Sequence, residues 1–370
     1  MSVGSTTEHD ELRSVLRRFL DEKSSSEDVR RLIASAETHD TSVWEQMSNQ
    51  LGLQGLVIPE EFGGAGFGPV ELGIVLEEMG RALLVAPYFG TVALAAQALV
   101  LCDDGDISRR WLPEIASGSV TATVAIAEDD GSWTADPSAT ARRDGDDWRL
   151  YGTRCFVIDG ATADLLVVVA AAPDGPGVFV VEPGASGVAR TRVEWLDLTR
   201  ELAVVGFDAV RASRVSPSGG FAAWRSAFLD RALAALAAEQ AGGAARCLEM
   251  AVDYAKVREQ FGRPIGSFQA IKHMCARVLI EVEAAHLAAA YAGSAVVRPG
   301  REASVAATVA AAQCSAAYTS AAKECLQVHG GIGYTWEHDT HLHLRRAKAS
   351  ESLLGRPQLQ RSRLADLVEI

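Results

Sequence analysis

The chain has 370 residues, with 35 Lys and Arg against 48 Asp and Glu, a net charge of −13. That length suffices for one large domain or two to three small ones around a sizeable core. The acidic balance excludes a general nucleic-acid binder, because neutralising phosphates needs a basic surface, yet it allows one local cationic site for a phosphorylated cofactor. Residues 1–10 are polar and acidic, so no signal peptide is expected. The longest apolar runs, 92–101 and 165–172, are too short to span a bilayer, and a cytoplasmic protein with no membrane partner is expected. Cys102, Cys155, Cys247, Cys275, Cys314 and Cys325 form no C-x-x-C pair. Most lie in apolar helical stretches, which predicts buried free thiols and no metal centre.

Residues 11–20 set Leu12, Leu16, Phe19 and Leu20 on one helical face. Residues 26–36 and 42–51 read as two more helices opened by Ser or Thr caps. In the turn-rich stretch 53–67, Gly63, Gly64 and Gly66 lack the Lys-Ser/Thr ending of a P-loop, and a structural loop is expected. Helices follow over 69–84, 87–101 and 107–116, the first supported by the pairs Glu77–Arg81 and Glu78–Arg81. Residues 1–118 thus read as an all-α N-terminal domain.

Near Gly118 the composition turns β-branched. Short strands are predicted over 121–127, 139–143, 147–150, 155–158, 165–169, 178–182, 188–192 and 203–210. Asp144-Gly-Asp-Asp marks a hairpin turn. Residues 119–214 form a middle β-barrel or sandwich. From 215 to 370 the pattern is helical again and predicts a four-helix bundle, with long helices over 221–256 and 270–297. The Ala-rich stretches 232–245 and 303–322 are helical rather than disordered. The fold class is α+β multidomain.

Between the two long helices, Gly262, Pro264 and Gly266 break the pattern into a corner. It holds Arg258, Arg263, Phe261, Phe268 and Gln269: cations for phosphate, aromatics for stacking, an amide for a base edge. A helical hairpin whose Arg pairs with a nearby Glu fits the same spacing. The residues themselves, Arg258-Glu-Gln-Phe-Gly-Arg-Pro-Ile-Gly-Ser-Phe-Gln, resemble a signature of the acyl-CoA dehydrogenase family. Cys325-Leu-Gln-Val-His-Gly-Gly-Ile-Gly-Tyr-Thr-Trp-Glu resembles that family's C-terminal signature, at the family's separation. The resemblance runs through essentially the whole chain, strongest over residues 231–348.

The resemblance implies the family's helix–barrel–helix architecture, FAD as cofactor, an acyl-CoA substrate desaturated at Cα–Cβ, and an electron-transfer flavoprotein as acceptor. It implies that Arg258 holds the FAD pyrophosphate and that Phe261 packs on flavin or adenosine. Gln269 would bond the adenine end. Gln327 with Gly330 and Gly331 would complete the contacts, because glycine lets backbone N–H groups approach closely. In this family these residues act on the FAD seated in a neighbouring subunit. A packing or hydrogen-bonding role is expected for His329.

The substrate-facing half departs from the pattern. Family enzymes place the catalytic base at one of two positions, which here are Ala232 and Leu354. Neither takes a proton. The arginine that usually follows the first position is Leu233, and the threonine and tryptophan-x-threonine that face the flavin correspond to Ala127 and to Phe156-Val-Ile158. Glu239 is the nearest other carboxylate on that helix, but it lies about 10.5 Å further along the axis. Its alternative reading is a buried carboxylate paired with Arg. Glu351 is a weaker candidate base. These departures imply the non-catalytic subunit of a hetero-oligomer, α2β2, whose homologous partner carries the base. The alternatives are an active homotetramer using Glu239 and a flavin-free scaffold subunit.

Overall fold

The computed structural model describes residues 6–369 apart from 36, 146, 216 and 218. Helix α1 (Thr7–Lys23) is opened by a capping box at Thr6, α2 (Ser26–Ala34) by one at Ser25, and α3 (Thr41–Asn49) by Asp40, whose carboxylate accepts from Ser42 and Val43. The expected end of α2 at residue 36 lies outside the described residues. The glycine-rich loop is structural: a Cβ on Gly64 would sit 2.0 Å from the carbonyl oxygen of Ile58. Helix α4 (Pro69–Ala82) follows, then a π-helical stretch, Phe89–Ala96, that runs on into α5 (Gln97–Cys102), and then α6 (Gly105–Ala116). An ordinary helix was expected over 87–101. All eight residues of the π-helical stretch are buried, and periodicity carries no signal where every face is covered.

The middle region has strands β1 (Ala122–Ala125), β2 (Thr140–Asp144), β3 (Asp147–Ile158), β4 (Leu165–Ala172), β5 (Gly175–Val181), β6 (Val188–Arg192) and β7 (Leu202–Val215). The pairings β4–β2, β2–β3, β3–β7, β7–β5 and β5–β4 close a ring, with β1 added on β4 and β6 on β7. The sheet is therefore a barrel, of mixed direction, since β1–β4 and β2–β4 are parallel. The strands expected over 147–150 and 155–158 are one strand, β3. Its register slips against β7 between Leu150 and Gly152 and again between Arg154 and Val157, with Gly152 at φ +106° and Phe156 at φ +50°. Bulges of this kind interrupt the alternation that marks a strand in sequence. The β2–β3 hairpin pairs Arg143 with Trp148 and Asp144 with Asp147, and its turn passes through residue 146, outside the described residues.

Helix α7 (Gly220–Val257) opens the last region. A small hairpin follows, β8 (Glu259–Gln260) and β9 (Arg263–Pro264), then α8 (Gln269–Ala295), α9 (Arg301–His329), α10 (Thr340–Leu353) and α11 (Pro357–Val368). Helices α7 to α10 make the bundle, and α11 lies against α9. One core runs through all three regions, from Leu16 through Val124 to Leu236. No helix among the described residues is long and apolar enough to cross a membrane. All six thiols are free; Cys102, Cys247, Cys314 and Cys325 are buried, while Cys155 and Cys275 are half-buried.

Helices α4 and α7 touch backbone to backbone. A Cβ on Gly242 would lie 1.9 Å from the carbonyl oxygen of Glu77, and one on Gly80 would lie 2.1 Å from that of Glu239. No side-chain rotation relieves a clash with backbone. Gly242→Ala is expected to cost about 3 kcal/mol of stability in urea unfolding. Gly331→Ala, whose Cβ meets nothing within 4 Å, is expected to leave the urea midpoint unchanged.

Candidate cofactor-binding surface

Helix α7 stops where Arg258 turns extended (φ −74°, ψ 122°). Its N–H still donates to Tyr254 O at 2.9 Å, and its carbonyl accepts from Ile265 N at 2.7 Å. Glu259 pairs with Pro264 and Gln260 with Arg263, so Phe261 and Gly262 form a two-residue hairpin loop. Both have positive φ, +54° and +75°, as a type I′ turn needs. The strained conformation is natural for Gly262 and costly for Phe261, whose ring it holds out into solvent, 92% exposed. Behind it Phe268 packs edge-on to Phe261 at 6.1 Å, and the Arg263 guanidinium lies 4.2 Å from the Phe268 ring centre. Gln269 opens α8 and is exposed.

The second block folds beside the first. Helix α9 ends at His329, and Gly330 turns the chain at φ +62°. The ring of His329 stacks on Tyr254 at 4.3 Å and 24°, and this contact joins the end of α7 to the end of α9. His329 Nδ1 lies 2.8 Å from Cys325 O, so it donates there, and His338 covers the ring at 4.3 Å. His329 is 5% exposed and therefore packs and hydrogen-bonds. A Cβ built on Gly330 or Gly331 meets nothing within 4 Å, so their backbone faces open space. Gln327 is exposed. Arg258 is exposed, and its guanidinium makes no hydrogen bond or ion pair among the described residues. The Arg–Glu hairpin pair is absent there.

This surface suits FAD. It offers an unpaired cation, an exposed ring, two amides and a glycine turn whose N–H groups a phosphate can approach. Sequence reasoning missed three residues on the same loop, Ile332, Tyr334 and Trp336, which are 43%, 69% and 63% exposed. The signal was present, since large apolar groups in a glycine-rich loop have no core to enter.

The opposite half is closed. Ala232 is fully buried, and Leu353 and Leu354 join the same apolar core. Leu233 and Leu354 line one cavity of about 20 Å³, with Gln360 of α11 across it. That space holds about one water. The Gln360 amide closes it further by donating to Leu354 O at 2.8 Å. Ala127 is buried, and its carbonyl accepts from Cys155 N at 3.1 Å. The loop after it is tied down by Glu128, which accepts from Ser138 N at 3.0 Å and from the buried Arg154 guanidinium. Trp133 in the same loop is stacked on Phe228 at 6.0 Å. Phe228 stacks on Trp224 at 5.2 Å, and Trp224 packs on Phe221 at 5.8 Å. Phe156 leans on Trp195 at 6.3 Å, and Ile158 is buried. Ala127, Phe156 and Ile158 provide no side-chain donor for a flavin ring.

Glu239 is also buried. Arg200 Nη2 donates to both its oxygens, at 2.7 and 2.6 Å, and Arg346 Nη1 donates to one. Arg346 Nε lies 2.7 Å from Asp197 Oδ2, and Arg346 Nη2 donates to Thr199 Oγ1 at 2.6 Å. Burial pushes the Glu239 carboxyl up, but the charges of Arg200 and Arg346 outweigh it and hold it below its ordinary value. A general base needs the opposite tuning, with proton affinity brought toward neutral pH. Glu351 is engaged with Lys348 one turn back.

Residues 6–119 match the profile of the acyl-CoA dehydrogenase N-terminal domain, and residues 218–368 match that of the acyl-CoA dehydrogenase C-terminal domain. The chain is 34% identical over 363 residues to acyl-CoA dehydrogenase IpdE2 of Mycolicibacterium smegmatis, covering 96% of this chain and 97% of the relative. Among solved structures it resembles a variant of the Tcur3481–Tcur3483 steroid ACAD (33% identity, TM-score 0.88, 98% of each chain). It also resembles the ChsE4–ChsE5 complex of Mycobacterium tuberculosis (30% identity, TM-score 0.90, 100% of this chain and 99% of that one). The fold and the signature blocks define a flavoprotein oxidoreductase class that acts on CH–CH bonds of acyl-CoA. The chain belongs to the acyl-CoA dehydrogenase family.

The Glu239 pairing has a pH signature. A carboxyl whose folded-state proton affinity is depressed contributes stability that is present above its unfolded value, about 4.3. That contribution is lost as pH falls through the folded value. Glu239→Gln is expected to be less stable than wild type by roughly 3 kcal/mol at pH 7, because it leaves buried guanidiniums undercompensated. The gap should narrow at pH 3. Urea unfolding at both pH values checks this; an equal gap at both contradicts the ion-pair role.

Proposed function

We propose that this chain is the subunit of an FAD-dependent acyl-CoA dehydrogenase that lacks the catalytic base and completes the FAD site of a homologous partner in an α2β2 assembly. The observation that carries the reading is the contrast between the two halves. Arg258, Phe261, Gln269 and Gln327 stand exposed around an open glycine turn, while Ala127, Ala232 and Leu354 are sealed in core. In this reading Arg258 pairs with the FAD pyrophosphate, Phe261 covers a ring face, and Gln269 meets the adenine end. Gln327, Gly330 and Gly331 supply the remaining polar contacts. The chemistry that FAD would supply there is acceptance of the hydride that leaves the substrate's β-carbon. This chain's residues hold the cofactor and exclude water from one side of it, and the partner supplies the base.

Likeness to the steroid ACAD and to a two-component complex supports a heteromer acting on a bulky acyl-CoA, such as one bearing a steroid side chain. An electron-transfer flavoprotein would be the acceptor, and the cytoplasm the setting. Arg258→Ala is expected to leave subunit assembly intact and to cut the FAD retained by the complex at least tenfold, as loss of a charge-assisted contact of about 1.5–3 kcal/mol requires. FAD content and size-exclusion elution of the co-purified complex are the readouts. Unchanged FAD with unchanged assembly would favour the flavin-free scaffold reading.

A further inference from the structure

A cavity of about 360 Å³ opens between α1, α4, α7 and α8. It lies on the other side of α7 from the closed half, since two residues turn a helix by about 200° and its walls include Ala234 and Ala238 rather than Ala232 and Leu236. The cavity is open to solvent on one side, so a ligand can reach it. The walls are cut back on three helices, at Gly73, Ala234, Ala238, Ala289 and Gly293. At Gly73 the glycine is not forced by its surroundings. A Cβ there would make only an ordinary 3.7 Å contact, with Ala238, and would take up part of the space.

The rim is polar. Glu77 pairs with Arg13 at 2.8 Å and with His286 at 3.2 Å, and His9 pairs with Glu71 at 3.3 Å. Burial pushes the Glu77 carboxyl up, but His286 and Arg13 outweigh it, and the carboxyl lies below its ordinary value. Among the described residues Glu77 already engages both Arg13 and His286, so a carboxylate entering would compete with it for the same cations. The volume falls within the range of small-molecule pockets, which are apolar with a few polar groups at one end.

We propose that this cavity binds a neutral, largely apolar small molecule, an alkyl or alicyclic compound of roughly ten to fifteen non-hydrogen atoms. The site is separate from the FAD surface and independent of the subunit role argued above. The test is calorimetric titration of the full chain with 1-decanol, with decanoate as the charged control. Two filling variants of half-buried wall residues, Ala290→Phe and Ser294→Leu, are titrated in parallel. Saturable decanol binding is expected, at least tenfold weaker in each filled variant that folds, with decanoate at least tenfold weaker on the wild type. Non-saturable uptake by the wild type, equal binding in a folded filled variant, or decanoate binding as tightly as decanol would each overturn the proposal. Because none of these readouts involves flavin, they stand whatever the FAD content of the complex proves to be.

Discussion

The buried ion cluster of Asp197, Arg200, Glu239 and Arg346 ties the three segments of the C-terminal two-thirds together. Asp197 and Arg200 come from the loop before β7, Glu239 from the middle of α7 and Arg346 from α10. Charges this deeply buried are tolerated only when each is paired and hydrogen-bonded, so the cluster fixes one relative placement of barrel, α7 and α10. Helix α7 is additionally pinned to α4 by two close backbone contacts, Gly80 of α4 against the Glu239 carbonyl and Gly242 against the Glu77 carbonyl. Its rotation and its height along the axis are both set.

From that anchor the two ends of α7 diverge in purpose. The N-terminal half stacks Phe228 on Trp133 and sets Leu233 beside Leu354 around a space of about 20 Å³. The C-terminal end carries Tyr254 onto His329 and delivers Arg258 at the edge of the bundle with its charge unspent. A family enzyme would keep both ends for flavin chemistry. In this chain one end is packed with apolar side chains and the other stands open, and on the reading proposed above that is how two homologous chains would divide one site.

Much of this was legible in residues. The order of helices, strands and helices could be read from periodicity, and the corner at Gly262 and the loop at Gly330 from glycine placement. The closed half was legible as apolar residues standing where ionisable ones are needed. What sequence could not give was long-range pairing. Nothing local links Glu239 to Arg200 and Arg346, because the three lie on separate elements and a carboxylate looks the same whether it is a base or an anchor. The merging of two predicted strands into β3, and the π-helical turn at Phe89, depend on bulges and burial that leave no period in the chain. The stacking of Trp133 on Phe228 was equally invisible.

The most direct test is the flavin absorbance and the FAD-to-chain ratio of this protein purified alone and then with a co-expressed homologous subunit. A colourless lone chain, and a yellow complex with about one FAD for every two chains, is the expected result if one closed and one open half make a shared site. A lone chain that holds one FAD per subunit and turns over acyl-CoA would contradict it, and would mean that the barrel side opens despite its packing.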